Sequence, residues 1–473
     1  MLISRLLKAL DIVYKQEDAD IKFITDDSRK CNGESVFVCD EKGSCYIQEA
    51  LKNGARLVIC EKGEGDRCIT VPDAKKAYAL LCSELFGNAH RRLHLIAITG
   101  TNGKTTTAGM LYGILTAAGK KCSLISTVEN IIEGESEGAS LTTPECFGLH
   151  RMLYEISRKG GEYCILEASS QGLDQERLYG LHFDVGVFTN LTEDHLDYHG
   201  SFESYKNAKL RLFDNCDKAV INRDDPSWTD FEERAKGRAV TYSLKNDSAD
   251  YTAKCIKYSE NVTDYAFVGD SLIHRMKLQV PGDFNVSNSM AAVAVATELG
   301  VSLECCSTAL RSFYGVRGRM EILNVNADFR VIIDYAHTPD GIRKALLSLQ
   351  SFSHNRIITL FGCGGDRDKS KRSLMGKTVA ELSDIAVVTS DNPRTENPED
   401  IIDDILEGMK KSKIPVYIQN NRAKAIEYAL KTAQKNDIIL LCGKGHETYQ
   451  IIGEDRIPCD ERQIVSDILN GNN

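Results

Sequence analysis

At 473 residues, with 42% hydrophobic and 27% charged side chains, the chain is too long for one core and has the composition of about three folded domains rather than of a disordered polymer. Its formal net charge of -10 argues against a nucleic-acid binder, which needs a basic excess to neutralise phosphates; an anionic ligand must be held by local basic side chains and backbone N–H groups. The first apolar run is broken by acids too soon for a secretory signal and no segment is long enough to cross a bilayer, so a cytoplasmic protein without membrane insertion is expected.

Residues 1–88 hold short β-like runs, "SVFVC" and "ARLVIC", among helical patterns and close at "LFGNAH". A second unit, 89–321, opens on the strand "LHLIAIT" and alternates "YCILEAS", "VGVFTN" and "KAVIN" with longer helical stretches, as parallel α/β sheets do. The third, 322–473, repeats that style with the buried strands "FRVIIDYAH", "RIITLFGC", "DIAVVTSDNP" and "DIILLCGKGHE". The expected fold is α/β in three domains: a central P-loop-type, mostly parallel sheet ATPase domain, flanked by an α/β N-terminal domain and a Rossmann-like C-terminal domain. Function in such sheets sits at the carboxyl ends of strands. The sixteen cysteines are scattered singly apart from Cys305 and Cys306, with no CxxC pair or zinc spacing, and read as reduced thiols in the core.

The stretch "IAITGTNGKTTT" ends like a phosphate-binding loop, although Ile98 stands where the general GxxxxGK[ST] pattern has its first glycine. A strand running into "GTNGKTT" and then into the amphipathic "TAGMLYGILTAAG" is the context such a loop needs, and it outweighs an ordinary turn. Gly100 and Gly103 let backbone N–H groups face an anion, Lys104 offers a point charge, and the Thr105 hydroxyl can ligate Mg²⁺. ATP or GTP is therefore the expected ligand. Glu167 and His195, read as lying just beyond strand ends on the same side, could complete a magnesium shell with Thr105; spacing alone leaves open that they are solvated or structural.

"TGTNGKTTT", "LTTPE", "EASSQGLDQERL", "NLTEDHLDYHGS", "YKNAKLRLF", "GDFNVSNSMAA", "GVRGRMEIL", "VIIDYAHTPDGI", "LFGCGGDRDKSKRSLMG", "SDNPRTENPEDI" and "LLCGKGHETYQ" follow one another in an order that resembles the Mur ligase family. The resemblance covers nearly the whole chain and is narrowest to the members that add the third residue of the peptidoglycan stem peptide. It implies that ATP phosphorylates the D-glutamate carboxylate of UDP-MurNAc-L-Ala-D-Glu and that an incoming amine displaces phosphate from the acyl phosphate. It also implies a uridine-binding role for 1–88, ATP binding for 89–321 and amino-acid binding for 322–473.

By the same resemblance Gly100, Thr101, Asn102, Gly103, Lys104, Thr105 and Thr106 hold the phosphates. Asn285, Asn288, Arg319 and Asp334 complete the ATP site, and Thr105, Glu167 and His195 serve the metal. Without it, "GDFNVSN" would read as a helix-capping turn and Lys209 as a solvated surface residue. The family's matching lysine is carbamylated by CO₂, which makes Lys209 a metal-supporting N6-carboxylysine here; an ammonium at that place would repel the metal site. Lys104, Glu167, His195, Lys209 and Arg319 form the implied catalytic set. Ser28, Thr142, Thr143, Ser169, Gln175 and Arg177 match contacts to the UDP-sugar dipeptide. Two departures affect that end: Gln171 stands where the family usually has histidine, and the loop "DEKGSCYI" after Cys39 is short.

For the amino acid, Asp391, Asn392, Pro393 and Arg394 have the form that accompanies meso-diaminopimelate in this family, with Arg367, Gly443 and Glu447 as further contacts. Diaminopimelate is lysine with an additional carboxylate, which Arg394 can grip bidentately, while Glu447 suits the ammonium at the distal centre. "TENPEDI" reads in addition as a capped helix start. A lysine-adding ligase, a folylpolyglutamate or cyanophycin type ligase, and a non-catalytic nucleotide-binding homologue are the rivals. The partners implied are the UDP-sugar dipeptide, diaminopimelate, ATP and Mg²⁺, on an expected monomer.

Overall fold

The computed structural model describes residues 1–259, 262–270, 272–280, 282–350 and 354–471. Three sheets organise them. Four parallel strands, in the order Phe23–Thr25, Ser35–Cys39, Leu57–Cys60 and Cys68–Thr70, build the first.

The central sheet has eleven strands. Its middle is parallel, running Ala239–Ser243, Cys216–Asn222, Phe183–Phe188, His94–Thr99, Tyr163–Glu167 and Cys122–Ile125. Strands buried on both faces must be apolar throughout, which is why "LIAI" and "YCIL" carry no polar alternation. Ile96 and Ile98 join the core on one side of the sheet, with the helices Lys104–Ala117 and Asp283–Glu298. Leu95 and Ala97 join the core on the other, with the helix Cys146–Arg158.

Both ends of this sheet depart from the expected strand–helix alternation. Tyr251–Ser259, Val262–Gly269 and Leu272–Leu278 form an antiparallel meander, and Glu129–Ile132 and Glu135–Gly138 extend the other edge antiparallel. The meander packs one face on the helices Asp283–Glu298 and Leu303–Arg311 and leaves its other face open, so in Val262–Gly269 buried positions alternate with partly exposed ones. That pattern lacks the continuous apolar run by which the buried strands are recognised.

The third sheet is parallel over Arg330–Asp334, Ile438–Cys442, Ile357–Phe361, Ile385–Thr389 and Val416–Gln419. Its antiparallel edge strand Glu321–Leu323 straddles the boundary expected at 321/322. A separate hairpin, Tyr449–Ile452 with Asp455–Pro458, follows the last parallel strand. The expected helix start at "TENPEDI" is the helix Pro398–Glu407, capped by the Asn397 side chain. No cysteine is in a disulfide and most are buried.

The first two units meet along the helix Cys146–Arg158, where the Phe147 ring stands edge-on to Phe23 at 4.8 Å and to Phe86 at 5.2 Å. His90 and His150 share this seam, ring centroids 6.0 Å apart. His150 Nε2 has no hydrogen-bond partner. Burial pushes the two imidazoles down to about 4 and about 3 respectively, so the folded protein keeps them neutral while an unfolded chain protonates them below ~6.5. The unfolded state therefore binds more protons in that window, and stability falls as pH drops from ~6.5 towards the folded values. Between pH 7 and pH 5 the loss is about 2 kcal/mol per histidine. His150→Gln should flatten the pH dependence of the urea-unfolding free energy over this range; an unchanged slope refutes the assignment.

Candidate active site

Several elements converge on the loop after His94–Thr99. Gly100 and Gly103 have φ of 146° and 87°, and neither could carry a side chain. A Cβ on Gly100 would lie 1.9 Å from Thr189 Oγ1, and one on Gly103 would lie 2.3 Å from Asn288 Oδ1. The loop is stitched to the neighbouring strand end: the Thr101 amide donates to Asn190 O at 2.8 Å, the Asn102 amide to Asn190 Oδ1 at 3.0 Å, and Thr189 Oγ1 to Asn102 O at 2.7 Å. Ile98, fully buried in the strand, leaves the loop a shorter form rather than a damaged one. Thr106 follows in the first turn of the helix, half-buried.

Two lysines meet on one backbone oxygen. Lys104 Nζ donates to Gly100 O at 2.8 Å and to Thr101 O at 3.1 Å, and Lys209 Nζ donates to the same Gly100 O at 2.9 Å. The two nitrogens are thus a few ångströms apart, where two unit charges repel by about 4 kcal/mol at an effective dielectric of 20. Burial lowers Lys104; burial and then the Lys104 charge hold Lys209 well below the ordinary lysine value. Lys209 is 1% exposed, not a surface residue. Arg319 brings a third cation, its Nη2 donating to Thr105 Oγ1 at 3.3 Å and its guanidinium lying 4.6 Å over the Tyr335 ring. Arg319 Nε has no partner.

Opposite these cations, Glu167 is fully buried. Its Oε2 accepts from Thr105 Oγ1 at 3.0 Å and Thr127 Oγ1 at 2.9 Å, and its Oε1 from the Thr127 amide at 2.9 Å. Sequence reasoning missed Thr127, which lies outside every motif and reaches Glu167 because the strand before it, Cys122–Ile125, pairs with the strand that Glu167 ends. Glu167 is the last residue of its strand, not a residue beyond it. His195 sits in the left-handed region, φ 53°, with Nδ1 3.4 Å from Gln171 Nε2 and Nε2 3.6 Å from Asp194 Oδ2. Burial pushes its imidazole down to about 4, so it is a neutral donor at physiological pH. No hydrogen bond joins it to Thr105 or Glu167, and among the described residues no group of three or more His, Cys, Asp or Glu is placed to hold a metal ion.

Asn285 and Asn288 lie inside the helix Asp283–Glu298, one turn apart and both buried, behind the N-cap Gly282. "GDFNVSN" therefore runs from the helix N-cap, Gly282, through the first turns of the helix, with Asn288 set against the phosphate loop. Asp334, at the end of its strand, accepts from the Met320 amide at 2.7 Å and the Ala336 amide at 2.8 Å. Burial raises its carboxyl against the pull of Arg319. Asn102 Nδ2 reaches Asp340 Oδ2 of the third unit at 3.2 Å.

The residues expected at the dipeptide end form a chain. Thr143 Oγ1 donates to Glu167 O at 2.7 Å and lies 3.0 Å from Ser169 Oγ, and Thr142 Oγ1 accepts from Thr127 Oγ1 at 3.1 Å. Arg177 donates to Thr143 O at 2.7 Å and to Gln175 Oε1 at 2.6 Å, and pairs with Glu145 at 2.7 Å. Ser28 stands apart in the first unit, its hydroxyl donating to Glu49 Oε2 at 2.6 Å.

A cavity of about 360 Å³ opens between the second and third units. The loop Thr192–Asp197 forms one wall; Arg367, Asp391, Asn392, Arg394, Gly443 and Glu447 belong to the other. Pro393, expected beside them, does not line the cavity; its carbonyl packs on Gly365, where a Cβ would lie 1.9 Å away. Lys444, 0% exposed, organises this wall and was overlooked within "GKGHE". Its Nζ lies 2.5 Å from Asn392 Oδ1, 3.0 Å from Glu447 Oε2 and 3.6 Å from Asp391 Oδ1. Against burial, which pushes it up, Lys444 and Arg422 draw the Asp391 carboxyl below its ordinary value. Glu447 Oε2 also accepts from Asn392 Nδ2 at 3.0 Å, so the expected free carboxylate is half engaged already. Arg394 has φ 52° and donates through Nη1 to Gly365 O at 2.8 Å, while Arg367, 53% exposed, is 3.8 Å from Asp197 across the cavity.

Known proteins match this chain across its second and third units. The Mur ligase middle domain matches residues 98–296, and the Mur ligase, glutamate ligase domain, residues 318–445. The UDP-N-acetylmuramoyl-L-alanyl-D-glutamate--2,6-diaminopimelate ligase of Clostridium perfringens is 40% identical, with 100% of both chains covered. That of Caldanaerobacter subterraneus is 42% identical over 99% of each chain. A solved structure of a ligase of that name superimposes with a TM-score of 0.72 at 31% identity, covering 100% of this chain and 99% of the other. MurF from Acinetobacter baumannii, at 22% identity and a TM-score of 0.67 over 98% of each chain, shares the fold. The chain belongs to the Mur ligase family.

Proposed function

We propose that the protein is an ATP-dependent acid–amino-acid ligase that joins meso-2,6-diaminopimelate to the D-glutamate carboxylate of UDP-N-acetylmuramoyl-L-alanyl-D-glutamate, in peptidoglycan precursor synthesis. The observation that carries this reading is the cavity, with the phosphate-loop side of the second unit on one wall and the Lys444-centred cluster with Arg394 on the other. Relatives named for this reaction match the chain from end to end.

The chemistry brings anions together. A carboxylate oxygen attacks the γ-phosphorus of ATP and ADP leaves; the neutral amine then attacks the acyl carbon, inorganic phosphate departs from the tetrahedral intermediate, and the amine sheds its proton. Lys104, Arg319 and the loop amides supply the positive field, each well-aimed donor contributing about 3 kcal/mol in such sites. Asn285, Asn288 and Asp334 hold the rest of the nucleotide. Mg²⁺ would neutralise charge between phosphate oxygens, and Thr105, Glu167, the neutral His195 and a carbamylated Lys209 are the residues suited to hold it.

The shared Gly100 carbonyl supports the carbamate. A buried lysine beside another ammonium is driven to the neutral amine, which adds to CO₂ with release of a proton and becomes an anion that Lys104 attracts. Ser28, Thr142, Thr143, Ser169, Gln175 and Arg177 belong to the UDP-sugar dipeptide end. In the third unit Arg394 and Arg367 face the distal carboxylate of diaminopimelate, and Glu447 with Asp391 its ammonium.

Arg394→Ala should lower kcat/KM for diaminopimelate by about 10²-fold or more, since a bidentate contact to its second carboxylate is lost, while leaving KM for ATP unchanged; competition with L-lysine monitored by product mass checks it, and retained preference refutes the role. Purging CO₂ and bicarbonate should reduce ligation and bicarbonate should restore it. Lys209→Met should lose about 10²-fold in rate and not respond to bicarbonate; a parent indifferent to CO₂, with no ¹³C carbamate signal, sinks the modification.

A further inference from the structure

The Arg394 backbone is held in a conformation that a non-glycine residue rarely adopts, φ 52°. The elements that impose it lie outside the cavity. The hairpin Tyr449–Pro458 runs alongside residues 390–394 and bonds to most of them. Gln450 Nε2 donates to Ser390 O at 3.2 Å and to Asp391 O at 2.6 Å, and the Ile451 amide donates to Asn392 Oδ1 at 2.9 Å. At Arg394 the grip is double: its amide donates to Ile451 O at 3.1 Å, and the Gly453 amide donates to its carbonyl at 2.8 Å. Arg394 and Ile452 thus form a parallel bridge.

The hairpin has little to hold it otherwise. Residues 452–458 are exposed, Ile452 and Ile457 among them at 45% and 44%, and an isolated two-stranded hairpin is marginal in water. Its bonds go to the loop that carries the guanidinium. On the other flank Thr395 and Glu396 lock the loop to Asp366, whose own φ is 53°, through the Thr395 amide to Asp366 Oδ2 at 3.1 Å and the Asp366 amide to Glu396 Oε1 at 2.5 Å.

We infer that the Tyr449–Pro458 hairpin is a specificity-positioning element: it fixes the left-handed Arg394 so that the guanidinium is aimed at the second carboxylate of the amino-acid substrate. No residue of the hairpin is among those lining the cavity, so it acts through Arg394. The inference rests on the diaminopimelate reading of the cavity. Gly453 is the point of control. Its φ is 62°, and no atom lies within 4 Å of an added Cβ, so substitutions there test backbone conformation without a steric clash.

Gly453→Pro removes the amide that bonds Arg394 O and forbids the positive φ. Gly453→Ala keeps the amide but disfavours the conformation, and Gly453→Asn keeps both, since asparagine tolerates the left-handed region. Ligation assays on the full chain should show KM for diaminopimelate raised about 10-fold or more in G453P, with preference over L-lysine reduced alongside and KM for ATP and for the UDP-sugar dipeptide unchanged. G453N should restore the parent values. Equal diaminopimelate KM in G453P and parent, or a fall in kcat alone, overturns the inference. Should G453P not fold, the other two decide: a higher diaminopimelate KM in G453A than in G453N supports it, and equal values overturn it. A parent that does not ligate diaminopimelate overturns the functional reading and this inference together, whereas a parent that does, matched by G453P, overturns the inference alone.

Discussion

Two lysine nitrogens donating to the single carbonyl of Gly100 are the constraint around which the second unit is built. Glu167 and Asp194 attract the two ammonium groups and Asp334 attracts Arg319, but two ammonium groups on one carbonyl repel each other and burial disfavours both charges. A polyphosphate at the loop amides and a Lys209 that is uncharged or anionic both relieve that repulsion. The glycines of the loop answer a separate, steric constraint: Gly100 and Gly103 lack side chains where Thr189 and Asn288 occupy the space a Cβ would need.

The site is divided between units whose cores are separate, the two faces of the central sheet and the C-terminal sheet. What joins the second and third units includes the polar contacts of Asn102 with Asp340 and of Arg367 with Asp197, and the Phe284 ring packed on the third unit's core. Such contacts suit a nucleotide site that closes and opens during turnover. The amino-acid wall is built the opposite way. Lys444 is wholly buried among Asn392, Glu447 and Asp391, and Arg422 pairs with Glu461 with both side chains 0% exposed while donating to Ser390 O and Cys442 O. Breaking a pair buried in this way leaves an uncompensated charge worth about 3–5 kcal/mol, which holds that wall in place.

Legibility in the sequence followed the range of the interactions. The phosphate loop and the parallel strands were readable because a buried strand is a local apolar run and a phosphate loop is a local glycine and lysine spacing. The helix start at Asn397 was readable for the same reason. The antiparallel meander at 251–278 was not, since its half-open face breaks the apolar run. Thr127, Lys444 and the Tyr449–Pro458 hairpin escaped notice because their partners lie far along the chain or because their importance is a matter of burial. Glu447 was recognised, but not that Lys444 already occupies one of its oxygens.

By itself, then, the amino-acid sequence determined the α/β class, the phosphate loop with Lys104 and Thr105, and, through the order of its motifs, the Mur ligase resemblance; each depends on residue type at short spacing. Only the tertiary structure decided that Lys209, 109 residues from Gly100, shares its carbonyl with Lys104. The same holds for Asn285 and Asn288, which belong to a helix pressed on the loop, and for Arg394, which is held left-handed by a distant hairpin. Charge balance and backbone strain depend on which groups are brought close and stripped of water, and no residue spacing encodes that.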